Sequence, residues 1–316
     1  MKTICFIVPF FGKLPSYFDT WLHSCRLNST ISFIIITDDH SQYNYPNNVK
    51  VKYYLFSDIQ KLIQANYSFP VSINNAYKLC DYKIAYGEIF KKELEGYDFW
   101  GFCDIDIIWG DIRSFYTDEL LAMYDKIGCQ GHATIFRNKP EINAIYRGEG
   151  NDGRDYKTIY QTEYVCATDV NFIRNRFDMA GKKQYVDTIY AGLLLMKPGF
   201  FLQAMPKELD YQNRRQVFTW DNGHLYRHYI VDGKLLKKEF LYIHFFKRPM
   251  KNLITQWDHI LIYPDVYRNY TGEISISCVN KYGHKSYFSF IIRMIKQNKH
   301  RLTFKNAFLF IYRIFK

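Results

Sequence analysis

The seven cysteines include no CxxC spacing, and their number is odd. Neither a disulfide framework nor a zinc ribbon is therefore expected. Cys5, Cys103, Cys129 and Cys166 lie in apolar runs and read as reduced, mostly buried thiols. No uninterrupted apolar run approaches the ~18 residues of a spanning helix. The first segment, MKTICFIVPFFGKLPSYF, is interrupted too soon for a signal peptide. These absences lead us to expect a cytosolic protein. The sequence has no internal repeat and no low-complexity linker.

The chain of 316 residues can form one large core or two small ones. Apolar residues make up 48% and charged residues 23%, which excludes a disordered chain. The 19% aromatic content suits stacking on rings, covering sugars or meeting a membrane interface. A net charge of +11 points to an anionic partner: nucleic acid, nucleotide or acidic lipid.

Along the first half, strand-like and helix-like segments alternate. Thr3 to Phe11 and Ser32 to Asp39 read as buried strands, and VKVKYYLFS as a shorter one. YFDTWLHSCRLN has helical spacing, and SDIQKLIQANY reads as a helix capped by Ser57. Lys78 to Tyr97 reads as a loop and then a helix. The alternation predicts an α/β fold, Rossmann-like, with a mainly parallel sheet and helices on both faces. Ligands then belong at the carboxyl ends of the strands. Further on, ELLAMYDKIG and FLQAMPKELDYQ read as helices. CQGHATIFRNK, TIYAGLLLMKPGF and EFLYIHFFKRP read as strands, and Gly148 to Thr158 as a flexible polar loop or a lid.

The stretch YDFWGFCDIDIIWGDI puts Asp104, Asp106 and Asp111 into very apolar surroundings. On a strand, residues i and i+2 face the same side, so Asp104 and Asp106 repel each other unless a cation lies between them. Paired carboxylates suit Mn²⁺ or Mg²⁺, which can clamp a diphosphate. D-x-D also arises by chance in loops, but the preceding buried FWGFC and the following Gly-Asp turn favour a metal. Asp111 reads as a turn or cap residue.

With these residues in place, Thr3 to Arg248 resembles a GT-A-type glycosyltransferase. It looks most like bacterial enzymes of capsule and O-antigen clusters, a group long catalogued as of unknown function. The layout is also similar to the glycogenin and lipopolysaccharide galactosyltransferase family. The resemblance implies that Pro9 and Phe10, with Asp38 or Asp39, meet the base and ribose of a UDP-sugar donor. It implies that Lys83 faces donor phosphate or sugar and that Asp104 and Asp106 hold the metal and the donor. Ala191 and Gly192 would lie beside the donor sugar. Asp221 would be the acid near the reacting sugar, with Asp187 as its rival. His244 would be the late metal ligand, and Lys247 and Arg248 would stabilise the departing diphosphate. The chain departs from that family in lacking an Asn before Ala191 and in carrying Trp220 where the family has Gln. Its "KRPM" echoes the family's ending only loosely. These departures leave the stereochemical course open.

Each residue also has a plainer reading. His244 could be a satisfied core histidine, and Lys247 and Arg248 surface cations. Asp221 could be a turn residue, and Asp38 and Asp39 could cap their turn. From Asn280 onward there are nine lysines and arginines, interleaved with aromatic residues, and no acid. This suits basic amphipathic helices on an anionic membrane, or a packed terminal helix with a solvated face. Nothing there resembles a nucleic-acid module.

We therefore expect a GT-A domain over 1–275 and a membrane-associating segment over 276–316. The expected enzyme moves a hexose, galactose or glucose, from a UDP-sugar to a glycan or lipid-linked acceptor. It would work on the inner face of a bacterial cytoplasmic membrane, without nucleic acid. The alternatives are a metal-dependent phosphoryl-transfer enzyme or nuclease, and a non-enzymatic membrane adaptor.

Overall fold

The computed structural model describes residues 1–186, 189–193, 200, 202 and 215–283. The chain divides into two compact units, Met1–Ile105 with Ile112–Asp187, and Asp106–Asp111 with Thr188–Lys316.

The first unit is built on strands β1 (Ile4–Pro9), β2 (Ile31–Thr37), β3 (Val49–Tyr53) and β4 (Phe99–Cys103). Strand β5 (Ile107–Trp109) belongs to the second unit. The first unit continues with β6 (Lys126–Gln130), β7 (Ala133–Arg137) and β8 (Gln184–Tyr185). The seven strands lie in the order β3-β2-β1-β4-β7-β6-β8. Strands β3, β2, β1 and β4 run parallel to one another, as the alternation of elements predicts, whereas β7 is antiparallel to both β4 and β6. The segment CQGHATIFRNK is thus a hairpin and not one strand. Strands β1, β2 and β4 are buried almost throughout, which is why they read as unbroken apolar runs.

Helix α1 (Phe18–Arg26) matches its spacing. Helix α2 (Phe56–Gln64) starts earlier than Ser57 would allow, with Leu55 at its cap and no side-chain capping bond. The reason is packing: the Phe56 ring lies edge-on to Phe11, 5.2 Å between centroids, so Phe56 joins the first turn. Residues Ala76–Ala85 form a long 3-10 helix, followed by one α-turn, where the sequence reads as loop then helix. In a 3-10 helix residues i and i+3 eclipse. Here they are Lys78 and Asp81, a fully buried pair at 2.9 Å. The remaining donors and acceptors of the pair are met by the Ile159 and Tyr164 carbonyls and the Cys166 amide. Removing either partner alone would strand a buried charge.

The polar loop beginning at Gly148 is tied down. Arg176, buried on helix α3 (Ile173–Met179), pairs with Asp152 and donates to the Arg154 carbonyl, while Asn175 bonds Asn151. A buried guanidinium needs these acceptors, and they fix the loop.

The second unit holds two sheets. Strand β5 pairs with β13 (Tyr242–His244), which also pairs with β9 (Ala191–Gly192). The larger sheet comprises β10 (Gln216–Asp221), β11 (His224–Val231), β12 (Lys234–Phe240), β14 (Lys251–Leu253), β15 (His259–Tyr263) and β16 (Val266–Asn269). Its order is β12-β11-β10-β15-β16-β14, antiparallel except for β14 with β16. The sequence reading did not anticipate this sheet. Asn222 and Gly223 both have positive φ and close the β10–β11 hairpin as a two-residue turn. EFLYIHFFKRP is two strands, β12 and β13, broken at Leu241.

Along β10, side chains alternate between faces. Phe218 and Trp220 enter a core shared with Ile108, Ala191 and Ile243, and the Trp220 indole donates to the Trp109 carbonyl at 2.7 Å. Val217 faces the opposite way, onto Val279 of α4 (Ile276–Tyr282). FLQAMPKELDYQ apart from Leu202, residues 194–199 of TIYAGLLLMKPGF, and the chain beyond Gly283 lie outside the described residues. Among the described residues, no helix is long and apolar enough to cross a membrane.

His228 on β11 is buried and shares a hydrogen bond with the Thr219 hydroxyl at 2.9 Å. Burial, aided by Lys237, pushes its pKa from 6.5 down to about 4. Between those values the unfolded chain binds a proton that the folded protein refuses, so stability is present above pH 6.5 and is lost as pH falls toward 4. His228→Gln should remove this share of the acid sensitivity, on the order of 1–2 kcal/mol. Urea unfolding at pH 7 and pH 4.5 measures it; an unchanged difference between the two would refute the assignment.

Candidate metal centre

In the first unit, the carboxyl ends of β1, β2 and β4 form one edge. Pro9 pairs with Ile36, and Ile7 with Phe102, two residues before Asp104. The Phe10 amide bonds the Ile36 carbonyl. Asp38 accepts from the Gly12 amide at 2.6 Å, and Asp39 from those of Leu14 and Ser41 at 2.8 and 2.9 Å. Bonds from Ser41 and Leu14 hold the Asp39 carboxyl below its ordinary range. Both acids thus shape the loop after β1, beside Pro9 and Phe10.

Lys83, at the end of the 3-10 helix, reaches the same edge. Its ammonium lies 2.8 Å from Asp104 Oδ1, 2.6 Å from the Gly131 carbonyl and 3.4 Å from Asp169 Oδ2. Burial opposes its charge, but Asp104 and Asp169 outweigh that and hold its pKa well above the lysine range. Asp169 is itself largely buried, and burial raises its carboxyl above the usual range against the pull of Lys83. The Asp104 amide donates to the His132 carbonyl at 2.9 Å, which anchors the end of β4 to the hairpin.

The sequence reading assigned Lys83 to donor phosphate or sugar and Asp104 to the metal; it anticipated neither their ion pair nor Asp169 and Gly131. Asp169 lies in a single π-helical turn, Thr168–Phe172, preceded by Ala167 in the left-handed region at φ 51°. π-turns and left-handed non-glycine residues concentrate at functional sites, but neither can be read from the residues alone.

In the second unit, the antiparallel register of β5 and β13 sets His244 against Ile107, next to Asp106. His244 Nε2 is 3.2 Å from Asp106 Oδ1, and the Lys247 amide donates to Asp106 Oδ2 at 2.6 Å. The Asp106 side chain is 8% exposed and that of His244 5%. Burial alone would raise the Asp106 carboxyl; His244 and the Lys247 amide overcome it and lower the pKa below the ordinary value. To aim that amide, Phe246 and Lys247 both adopt left-handed backbone, φ 51° and 56°. The parallel β9–β13 register places Gly192 beside His244 and Ala191 beside Ile243. These two small residues are thus brought to the strand that carries His244.

Not all the expected residues converge. Asp221 bonds Thr219 Oγ1, His259 Nδ1 and the Tyr270 hydroxyl. It faces away from Trp220, whose side packs on β5, β9 and β13, so Asp221 is not brought to the Asp106–His244 pair. Arg248 is buried in an ion pair with Asp265 at 2.7 Å, while Lys247 is exposed beside Asp106. Asp187 lies outside the described residues. Asp111 immediately precedes the helix Ile112–Phe115, but the Ile112 amide is met by Asn28 at 2.8 Å.

Among the described residues, Asp104, Asp106 and His244 are the one group of three histidine, cysteine or acidic side chains suited to a metal ion. The donor set fits a hard divalent cation: two carboxylates two residues apart in the chain and one imidazole nitrogen.

Among solved structures, similar chains include the apo form of mouse xyloside xylosyltransferase 1, at 8% identity, 61% of this chain, 88% of that chain and TM-score 0.36. The galactosyltransferase LgtC in complex with donor and acceptor sugar analogs is 10% identical over 60% of this chain and 75% of that one, at TM-score 0.37. An active-site mutant of LgtC is 10% identical over 78% and 88%, at TM-score 0.40. No curated protein matches the sequence. A family model matches residues 6–271, most of the chain, and the protein belongs to that family, the family of unknown function DUF6625.

Proposed function

We propose that the protein is a metal-dependent glycosyltransferase. It moves a hexose, galactose or glucose, from a UDP-sugar to a lipid-linked surface-polysaccharide acceptor. The observation that carries this reading is the Asp104, Asp106 and His244 group, two carboxylates two residues apart in the chain and one imidazole. Lys83 adds a buried cation at Asp104. Asp104, Asp106 and His244 would hold Mn²⁺ or Mg²⁺. A divalent ion held there supplies a Lewis acid that offsets charge on a departing diphosphate. Lys83, paired with Asp104, would supply further positive charge to that diphosphate. Pro9, Phe10, Asp38 and Asp39, at the shared edge of β1 and β2, are the groups offered to the base and ribose.

The basic segment from 276 on is offered to an anionic membrane, where a lipid-linked acceptor would be met, on the cytoplasmic face. A phosphoryl-transfer enzyme using paired metals would need a second acidic cluster. Among the described residues the metal-suited group is single.

UDP should raise the melting temperature only in the presence of Mn²⁺ or Mg²⁺, and Asp106→Ala should abolish the shift. Differential scanning fluorimetry across divalent cations tests this, and no UDP shift with any of them sinks the proposal. In the same format, His244→Ala should weaken Mn²⁺ binding about tenfold or more, as loss of a direct ligand implies. Truncation after Gly283 should abolish flotation with vesicles containing phosphatidylglycerol and spare the UDP response. If the truncated chain still floats, the membrane assignment is wrong.

A further inference from the structure

One buried cation in the first unit has more partners than a donor-facing lysine needs. The Lys83 ammonium has two carboxylates in reach, Asp104 at 2.8 Å and Asp169 at 3.4 Å, and a carbonyl, that of Gly131, at 2.6 Å. The two acids differ in standing. Asp104 belongs to the metal-suited group, whereas Asp169 does not. A divalent ion on Asp104 would compete with Lys83 for the same oxygens, and a buried ammonium cannot be pushed off one carboxylate without another to receive it.

Asp169 is built to be that receiver. Its side chain is 12% exposed, as is that of Lys83. It is set by a π-turn whose first residue, Thr168, is buried and anchored to the Asp81 carbonyl at 2.8 Å. The space beside it is reserved as well: a Cβ on Gly131 would come within 2.2 Å of Asp169 Oδ2, so the carboxylate fits only because residue 131 has no side chain.

We propose that Lys83 is the resident counter-ion of Asp104, and that Asp169 with the Gly131 carbonyl is its second seat, taken when a divalent ion binds Asp104. Asp169 is then a positioning residue. It keeps the ammonium beside the metal centre, charged and oriented for donor phosphate, and makes metal entry a handover between cations. This inference rests on the metal reading above and adds the group that makes the exchange feasible.

The test is Mn²⁺ titration of the full-length protein without nucleotide, followed by electron paramagnetic resonance of free Mn²⁺. Lys83→Met removes the competitor and should tighten Mn²⁺ binding. Asp169→Asn leaves Asp104 as the only carboxylate for Lys83 and should weaken binding about tenfold, the equivalent of one charge-assisted hydrogen bond. In the Lys83→Met background, Asp169→Asn should change the affinity less than about twofold, because the residue acts through the lysine. Should Asp169→Asn fail to fold, Gly131→Ala displaces the same carboxylate without changing charge and should weaken binding in the same direction. If Asp169→Asn binds Mn²⁺ as the wild type does, or weakens it equally with and without Lys83, the second seat is refuted while the metal centre stands. If the wild type binds no Mn²⁺, the metal reading itself fails, and this inference with it.

Discussion

A carboxylate at the end of a buried strand must be matched by positive or hydrogen-bonding partners, and the strand ends of both units are organised around that requirement. In the first unit Asp104 is met by Lys83, whose loss of water is more than offset by Asp104 and Asp169. In the second, Asp106 is met by His244 and by one backbone amide. In each unit the partner comes from a distant part of the sequence. The 3-10 helix carries Lys83 to the end of β4, and the register of β5 with β13 sets His244 next to Asp106.

Much of the first unit could be read directly. Strands β1, β2 and β4 are buried on both faces, so their residues are apolar without interruption, and such runs announce themselves. Lys83 and His244 were reached only through the family resemblance, whereas Asp104 and Asp106 could be read from residue type and spacing. Asp169 was invisible for the opposite reason. It lies 86 residues from Lys83, in a π-turn, and no local pattern marks it. The 3-10 helix was likewise hidden, since its stability comes from the buried Lys78–Asp81 pair and its contacts to residues 159–166.

The six-stranded sheet was missed although its signals are present. Asn222-Gly223 between alternating runs is a strong hairpin mark. Strand β12, KLLKKEF, is mostly exposed or half-exposed, so its lysines masked the alternation. Reading that hairpin would also have separated Asp221 from Trp220. Adjacent residues of one strand serve opposite faces, and the apolar one packs on β5, β9 and β13 while the acid does not.

The turn at Phe246 and Lys247 ties two properties of the protein together. Two consecutive side-chain-bearing residues in left-handed backbone disfavour the turn, by about 1–3 kcal/mol each. The amide of Lys247 is held in place by Asp106, the same carboxylate that faces His244. The acid therefore faces His244 and latches a strained turn at once. The backbone that presents the exposed Lys247 is tied to the same carboxylate that meets His244, so the side chain of residue 106 sets the path of the chain at residue 247.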